Sequence, residues 1–171
     1  MRIVSGRFAG RDLVSPADSR VRPTAEKVRA GLLDLLTGDL AEARVLDLFA
    51  GTGALGLEAI SRGARQADFV EFRPASLHAL RANVAALRLR ERTRIFKRDA
   101  IPFVAALPPD GYDVAFADPP YESRVLDRVL ETWRARRFAR ILAVEHALTH
   151  QLPMGSQRQL FQDCAVTVYR L

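Results

Sequence analysis

The stretch Val45 to Gly56, VLDLFAGTGALG, narrows what this chain can fold into more than any other feature of its 171 residues. An apolar run of strand character ends in a G-x-G-x-x-G turn, and a helix-forming run begins inside that turn. Glycines let the backbone turn tightly and come close to a ligand, while the helix N-terminus offers unpaired N–H groups. The rest of the chain repeats the alternation. Apolar runs predict strands over 44–49, 67–72, 93–97, 112–117 and 141–145. Helical spacing predicts helices over 54–61, 74–87, 101–107 and 125–134, the second with Leu77, Leu80, Val84 and Leu87 in register. Such alternation means an α/β fold: a Rossmann-like, mostly parallel sheet with helices on both faces.

The two ends depart from the alternation. Residues 158–161 and 165–169 read as strands joined by a turn around Gln162 and Asp163, an antiparallel C-terminal hairpin at or near one sheet edge. Residues 2–14 hold two short apolar stretches around Gly6 and Gly10, a small N-terminal β-hairpin or extended arm. After Pro16 and Pro23 a helix is expected, with Thr24 as N-cap, Val28, Leu32, Leu35 and Leu36 on one face, and Gly38 at its end. No repeat, low-complexity block or long linker divides the sequence. We expect one domain over residues 1–171, with a basic arm at 1–23 and a Rossmann-like core at 24–171.

Composition excludes several classes. A hydrophobic share of 49% allows a well-buried core, and 27% charged residues argues against global disorder. No apolar run approaches the roughly 18 residues of a membrane span. The start, MRIVSGRFAGR, lacks the apolar block of a signal peptide. Cys164 is the single cysteine, so no disulfide framework is possible, and a reducing, cytoplasmic compartment is the default. The net charge of +6 suits a polyanionic partner. Residues 1–29 carry seven basic residues against three acidic ones, four of the six net charges. Arg7, Arg11, Arg20 and Arg22, with Thr24 beside them, are candidates for gripping nucleic-acid phosphates. A general arginine bias of the sequence is the plainer alternative.

Two acids refine the glycine block, which NAD and FAD enzymes also share. Asp47 ends the strand before the glycines. A carboxylate there would repel a pyrophosphate and suit the ammonium of a methionine moiety. Ala50, Gly51 and Gly53 would bring backbone against the same ligand. Glu71, 24 residues after Asp47, ends the second strand and can accept from both ribose hydroxyls of an adenosine. Asp99 can accept from an adenine amino group and the Ala100 N–H can donate to a ring nitrogen, although Asp99 serves equally as a helix N-cap. Phe72 can stack on adenine or belong to the core. Together these residues describe a site for S-adenosylmethionine.

The fourth strand, YDVAFA, runs into Asp118, Pro119, Pro120 and Tyr121. Two prolines fix φ and remove two N–H donors, leaving carbonyls free to accept. The Asp118 carboxylate and the Pro119 carbonyl can then converge on one NH2 group while Tyr121 stacks on a base. An exocyclic amine is a poor nucleophile because its lone pair is conjugated into the ring. Accepting both its hydrogens favours a pyramidal nitrogen aimed at a methyl donor, so the work is orientation and electrostatics. A rigid turn with an adjacent aromatic is the structural alternative.

The sequence resembles the ribosomal small-subunit methyltransferase D family along most of its length. The likeness lies in Arg2-Ile3-Val4-Ser5-Gly6, Gly10-Arg11, Leu13, Arg22-Pro23-Thr24 and Lys27-Val28-Arg29. It continues through Val45 to Ala59, Ser61-Arg62-Gly63-Ala64, Phe69-Val70-Glu71 and Asp118-Pro119-Pro120. The chain departs from the family at Phe72-Arg73, where a polar or acidic residue is common, at Tyr121, usually Phe, and at Ala30-Gly31. The resemblance implies a class I methyltransferase fold with a seven-stranded sheet. It also implies methylation of guanine N2 in 16S ribosomal RNA, with a partly assembled small subunit as substrate.

Three other readings remain open. A DNA or RNA adenine-N6 methyltransferase would use the same Asp-Pro-Pro-Tyr logic on a flipped base. An NAD-dependent oxidoreductase is disfavoured by Asp47, and a non-enzymatic RNA-binding module would transfer no methyl group. His78, His146 and His150 have no accompanying cysteines or suitably spaced acids, so no metal is expected. A monomer is expected.

Overall fold

The computed structural model describes residues 1–16, 23–120 and 124–171. Its strands are β1 (Arg44–Leu48), β2 (Gln66–Glu71), β3 (Thr93–Lys97), β4 (Tyr112–Ala117), β5 (Ala139–Ala147), β6 (Gln157–Leu160) and β7 (Cys164–Arg170). They form one seven-stranded sheet in the order β3-β2-β1-β4-β5-β7-β6. The first five are mutually parallel, while β7 runs antiparallel to both β5 and β6. Among the described residues the α-helices are α1 (Pro23–Asp34), α2 (Ala54–Ser61), α3 (Pro74–Ala86), α4 (Ala100–Ala105) and α5 (Val125–Arg136).

Strand alternation divides the core into two layers. Val45, Phe69 and Phe116 meet Leu32 of α1, Leu57 of α2 and Leu80 of α3 on one face. Leu46, Val70 and Leu142 meet Val104 of α4 with Leu130 and Trp133 of α5 on the other. A sheet covered on both faces requires apolar residues at nearly every strand position, which explains the continuous apolar runs of the central strands.

The hairpin at the C-terminus is inserted in a way its charge pattern explains. The apolar strand β7 is buried along all but its last residue and lies inside the sheet, whereas the polar β6 takes the edge. Polar residues on an edge strand discourage pairing with other chains. Strand β5 is longer than its apolar centre suggests because β7 pairs with it as far as Ala147 and Cys164. At the other end, α1 begins at Pro23, so Thr24 lies inside the helix rather than at its N-cap. Proline suits the first helical position because the N–H it lacks would have no partner there. The helix also ends at Asp34, and turns carry the chain through Gly38.

Residues 1–14 fold back on themselves with a single antiparallel bridge, Arg2 to Asp12, and bury Ile3 and Leu13 in the first core layer. The turn docks on α2: Arg7 N–H donates to the Ser61 carbonyl at 2.8 Å, and Phe8 N–H donates to Ser61 Oγ at 2.9 Å. Gly6 has φ +85°, and a Cβ there would lie 2.0 Å from the Ser61 carbonyl oxygen, so no other residue fits. From β1 the chain winds outward through β2 and β3, then returns to place β4 on the opposite side of β1. The crevice at this reversal, beyond the C-terminal ends of β1 and β4, is where open α/β sheets hold ligands.

Candidate active site

Three residues between β1 and α2 adopt left-handed φ: Phe49 at 61°, Gly51 at 56° and Gly53 at 79°. The glycines serve different ends. A Cβ on Gly53 would lie 2.3 Å from Leu80 Cδ1, so this glycine brings the loop against α3. A Cβ on Gly51 would meet only the Phe49 carbonyl oxygen at 4.0 Å, which leaves its backbone open to a ligand. Ala50 N–H donates to the Val70 carbonyl at 3.1 Å, and Gly51 N–H donates to Glu71 Oε2 at 2.9 Å. The loop is thus fastened to β2 and its terminal acid.

Four carboxylates mark four neighbouring strands. Asp47 is aligned with Phe69 and Phe116, residues of the first core layer. Glu71 follows Phe69 by two residues and so faces the same way. Asp118 and Glu145 stand one step beyond the register pair Ala117 and Val144. Asp47 is buried and its Oδ2 accepts from Gly56 N–H at 2.9 Å. Burial, only partly offset by that bond, together with the charge of Glu71 pushes its pKa up to about 7. Burial also works against the charge of Glu71. The N–H groups of Arg73 and Phe72 and the Arg73 guanidinium outweigh it and hold this carboxyl below its usual value. Asp118 opens into the crevice, yet desolvation by its walls, with the charges of Glu145 and Asp47, holds its carboxyl well above the usual range. Among the described residues no cluster of three or more His, Cys, Asp or Glu is arranged to hold a metal ion.

A cavity of about 410 Å³ joins Glu71, Asp118 and Glu145. Glu71, Phe72 and Ala100 line one part of it, Asp118, Pro119 and Pro120 another, with Phe49, Val70, Arg73, Arg98 and Glu145 completing the wall. Phe72 is 58% exposed, free to stack on a ligand. Asp47, Ala50, Gly51 and Gly53 stand outside this lining, the loop reaching it through Glu71. Asp99 also stays off the wall and caps α4, its Oδ1 accepting from Ile101 N–H at 3.2 Å. Tyr121, Arg20 and Arg22 lie outside the described residues, and Thr24 is in the first turn of α1.

Three contributors escape the sequence patterns. Arg73 lies against Glu71, so the acid expected to face ribose hydroxyls alone already has a cationic neighbour. Glu145 shares the cavity with Asp118; its only signal is a charge ending an apolar strand. Asn83, buried on α3, donates from Nδ2 to the carbonyls of Val14 (3.0 Å) and Thr52 (2.9 Å), and its Oδ1 accepts from Val14 N–H at 2.7 Å. A polar residue between Leu80 and Val84 on an otherwise apolar helix face was the available clue.

Away from the crevice, Arg7 and Arg11 of the arm face Arg88 and Arg92 across a hollow of about 440 Å³ with no acid in its lining. Two of these guanidiniums are partly engaged by backbone: Arg11 donates to the Ala86 carbonyl and Arg92 to those of Ala64 and Arg65.

The crevice fits a nucleoside bearing a cationic amino-acid tail: an acid at the end of β2, an exposed aromatic beside it, an open glycine backbone, and carboxyl groups at β1 and β4. Fold and site define a class I S-adenosylmethionine-dependent methyltransferase. A family model described as Conserved hypothetical protein 95 matches residues 1–157. The ribosomal RNA small subunit methyltransferase D of Escherichia coli is 35% identical over 130 residues, 76% of this chain and 65% of that enzyme. The chain thus aligns with just under two thirds of that relative. Among solved structures, the Escherichia coli protein yhhF superposes with a TM-score of 0.86 at 29% identity, over 99% of this chain and 97% of that one. A Thermus thermophilus 16S rRNA N2 G1207 methyltransferase, in complex with AdoMet and guanosine, shares the fold at 20% identity and a TM-score of 0.69. It is covered over 44% of its length by 90% of this chain. The chain belongs to the ribosomal RNA small subunit methyltransferase D family.

Proposed function

We propose that this protein methylates the exocyclic N2 amine of a guanine in 16S ribosomal RNA, acting as a monomer on partly assembled small-subunit particles in the cytoplasm. The observation that carries the reading is the single cavity in which Asp118, Pro119 and Pro120 face the Glu71 and Phe72 end. When bound, S-adenosylmethionine supplies an electrophilic methyl group on a sulfonium centre. Glu71 would hold its ribose, Phe72 and Ala100 its adenine with Asp99 near the amino group, and Asp47 with the backbone of Ala50, Gly51 and Gly53 its methionine end. Among the described residues no helix is long and apolar enough to cross a membrane.

The chain's own part is to aim the amine. Asp118 accepts one N2 hydrogen and the Pro119 carbonyl accepts the other, which turns the nitrogen lone pair out of the ring plane. Pro120 stiffens the turn and Tyr121 holds the base plane. The nitrogen loses one proton when it gains a carbon, and the Asp118 carboxylate, whose hold on a proton is strengthened by desolvation and by the charges of Glu145 and Asp47, receives it at an oxygen already hydrogen-bonded to that amine. Arg7, Arg11, Arg20 and Arg22, with Thr24 nearby, would grip the RNA backbone. Incubation with labelled S-adenosylmethionine and methylase-deficient small subunits, followed by nucleoside analysis, tests this. Label in N2-methylguanosine is expected; label in N6-methyladenosine, or none, overturns it.

A further inference from the structure

The three exocyclic amines of RNA differ in what lies beside them. Adenine N6 is flanked by the ring nitrogen N1 and cytosine N4 by N3, both acceptors. Guanine N2 is flanked on one side by N1–H, a donor. A group placed next to the amine site that accepts but does not donate would therefore welcome guanine and reject the other two.

We propose that Glu145 is that group: its carboxylate accepts the guanine N1–H while Asp118 and Pro119 hold the N2 amine, so that Glu145 sets the choice of base. The assignment rests on the guanine reading above. Three observations support it. Glu145 and Asp118 stand side by side, one step past the Ala117–Val144 pair, Asp118 just beyond the end of β4 and Glu145 two residues before the end of the adjacent parallel β5. Both line the same cavity. Direction is the third: Glu71 and Phe72 place the methyl donor on the β2–β1 side of Asp118, so an amine aimed at it leaves its base lying toward β5, where Glu145 is. The amine and N1–H project from one edge of the ring, and two adjacent carboxylates match two adjacent donors. The negative charge of Glu145 also bears on Asp118. An acceptor nitrogen in the same place would face a carboxylate with no proton between them.

The test replaces the methylated guanine, once mapped, by 2-aminopurine in small subunits reconstituted around a ligated 16S RNA. That base keeps the N2 amine but has an unprotonated N1. The wild type should prefer guanine over 2-aminopurine by roughly 10- to 100-fold in kcat/KM, the scale of one well-placed hydrogen-bond pair. Glu145→Gln should lose most of that preference, because its amide can turn an N–H toward N1, and should bind S-adenosylmethionine as the wild type does. Any penalty for the missing O6 is common to both enzymes and cancels in the comparison. A Glu145→Gln enzyme that is merely slower, with the wild-type preference intact, overturns the assignment. So does a wild type that uses both bases equally, a result that needs no variant to fold. A wild type that leaves guanine unmethylated overturns the parent reading together with this one.

Discussion

The guanidinium of Arg73 rests on the carboxylate of Glu71, its Nε 3.4 Å from Oε1 and its Nη2 3.3 Å from Oε2. Both oxygens also accept backbone N–H groups, from Phe72 and Arg73 on one side and Gly51 on the other. Ribose hydroxyls reaching Glu71 would compete with Arg73. Glu71→Ala should lose about 1–3 kcal/mol of cofactor binding, the worth of hydrogen bonds to a charged acceptor. Arg73→Ala should tighten binding, but by less than about fivefold, because an ion pair with one exposed member is worth at most about 1 kcal/mol. Calorimetry with S-adenosylmethionine measures both. Unchanged affinity in Glu71→Ala would remove Glu71 from the cofactor site, and weaker binding in Arg73→Ala would make Arg73 a contributor rather than a competitor.

Asp47 gives the protein a pH-dependent stability of known sign. Its pKa is about 7 in the folded chain against 3.8 when free. Below pH 3.8 the group is protonated in both states and costs nothing. Between the two values only the unfolded chain ionises, so stability falls as pH rises, and the loss is complete above pH 7. Asp47→Asn keeps an oxygen for Gly56 N–H and carries no charge. Denaturant unfolding should find it more stable than the wild type at pH 8, by up to about 4 kcal/mol, with the gap closing toward pH 4. Its affinity for the cationic cofactor should fall. A constant difference across that range would place the cause outside ionisation.

Asp118 combines orientation with proton acceptance, and two variants separate the roles. Asp118→Ala should bind cofactor normally and lose roughly a hundredfold or more in turnover, the cost of one preorganised hydrogen bond. Asp118→Asn can still accept the amine hydrogen but not take the proton, so it should fall between Ala and the wild type. Asn as inactive as Ala would shift the weight to proton abstraction. A fully active Ala variant would move the active site elsewhere.

The hollow between Arg7, Arg11, Arg88 and Arg92 extends the basic arm onto the α3–β3 connection. If it carries RNA phosphate, Arg7→Ala and Arg88→Ala should each flatten the log–log salt dependence of RNA binding by about one unit. Neither should alter cofactor affinity. Arg92→Ala should also destabilise the fold, since Arg92 donates to the Ala64 and Arg65 carbonyls. Parent-like slopes in the first two would direct attention to the arginines between Arg124 and Arg140.

The sequence exposed the parts of this molecule whose physics is local. A strand that must be apolar on both faces, as β1 and β4 are, announces itself, and so does a turn that needs positive φ at Gly51 and Gly53. What depends on distant partners stayed hidden. The contrast between the polar β6 and the apolar β7 fits β7 beside β5, but only the pairing itself shows β7 inside the sheet and β6 at its edge. Thr24 has the chemistry of a cap, but Pro23 already satisfies the helix start. Asp99 is legible as an acid after β3, and its bond to Ile101 N–H favours the cap geometry. Glu145 gains meaning only when β5 is laid beside β4, a pairing between segments separated by a whole helix.

Asn83 holds the arm at Val14 and the glycine turn at Thr52 with one side chain. One side chain restrains both segments, so part of the conformational entropy of each is surrendered together. A ligand that stills the turn leaves less freedom for a second ligand to take from the arm, and linkage makes the benefit mutual. RNA seated on the arm and cofactor seated at the turn should each raise the other's affinity, and replacing Asn83 by alanine should uncouple them.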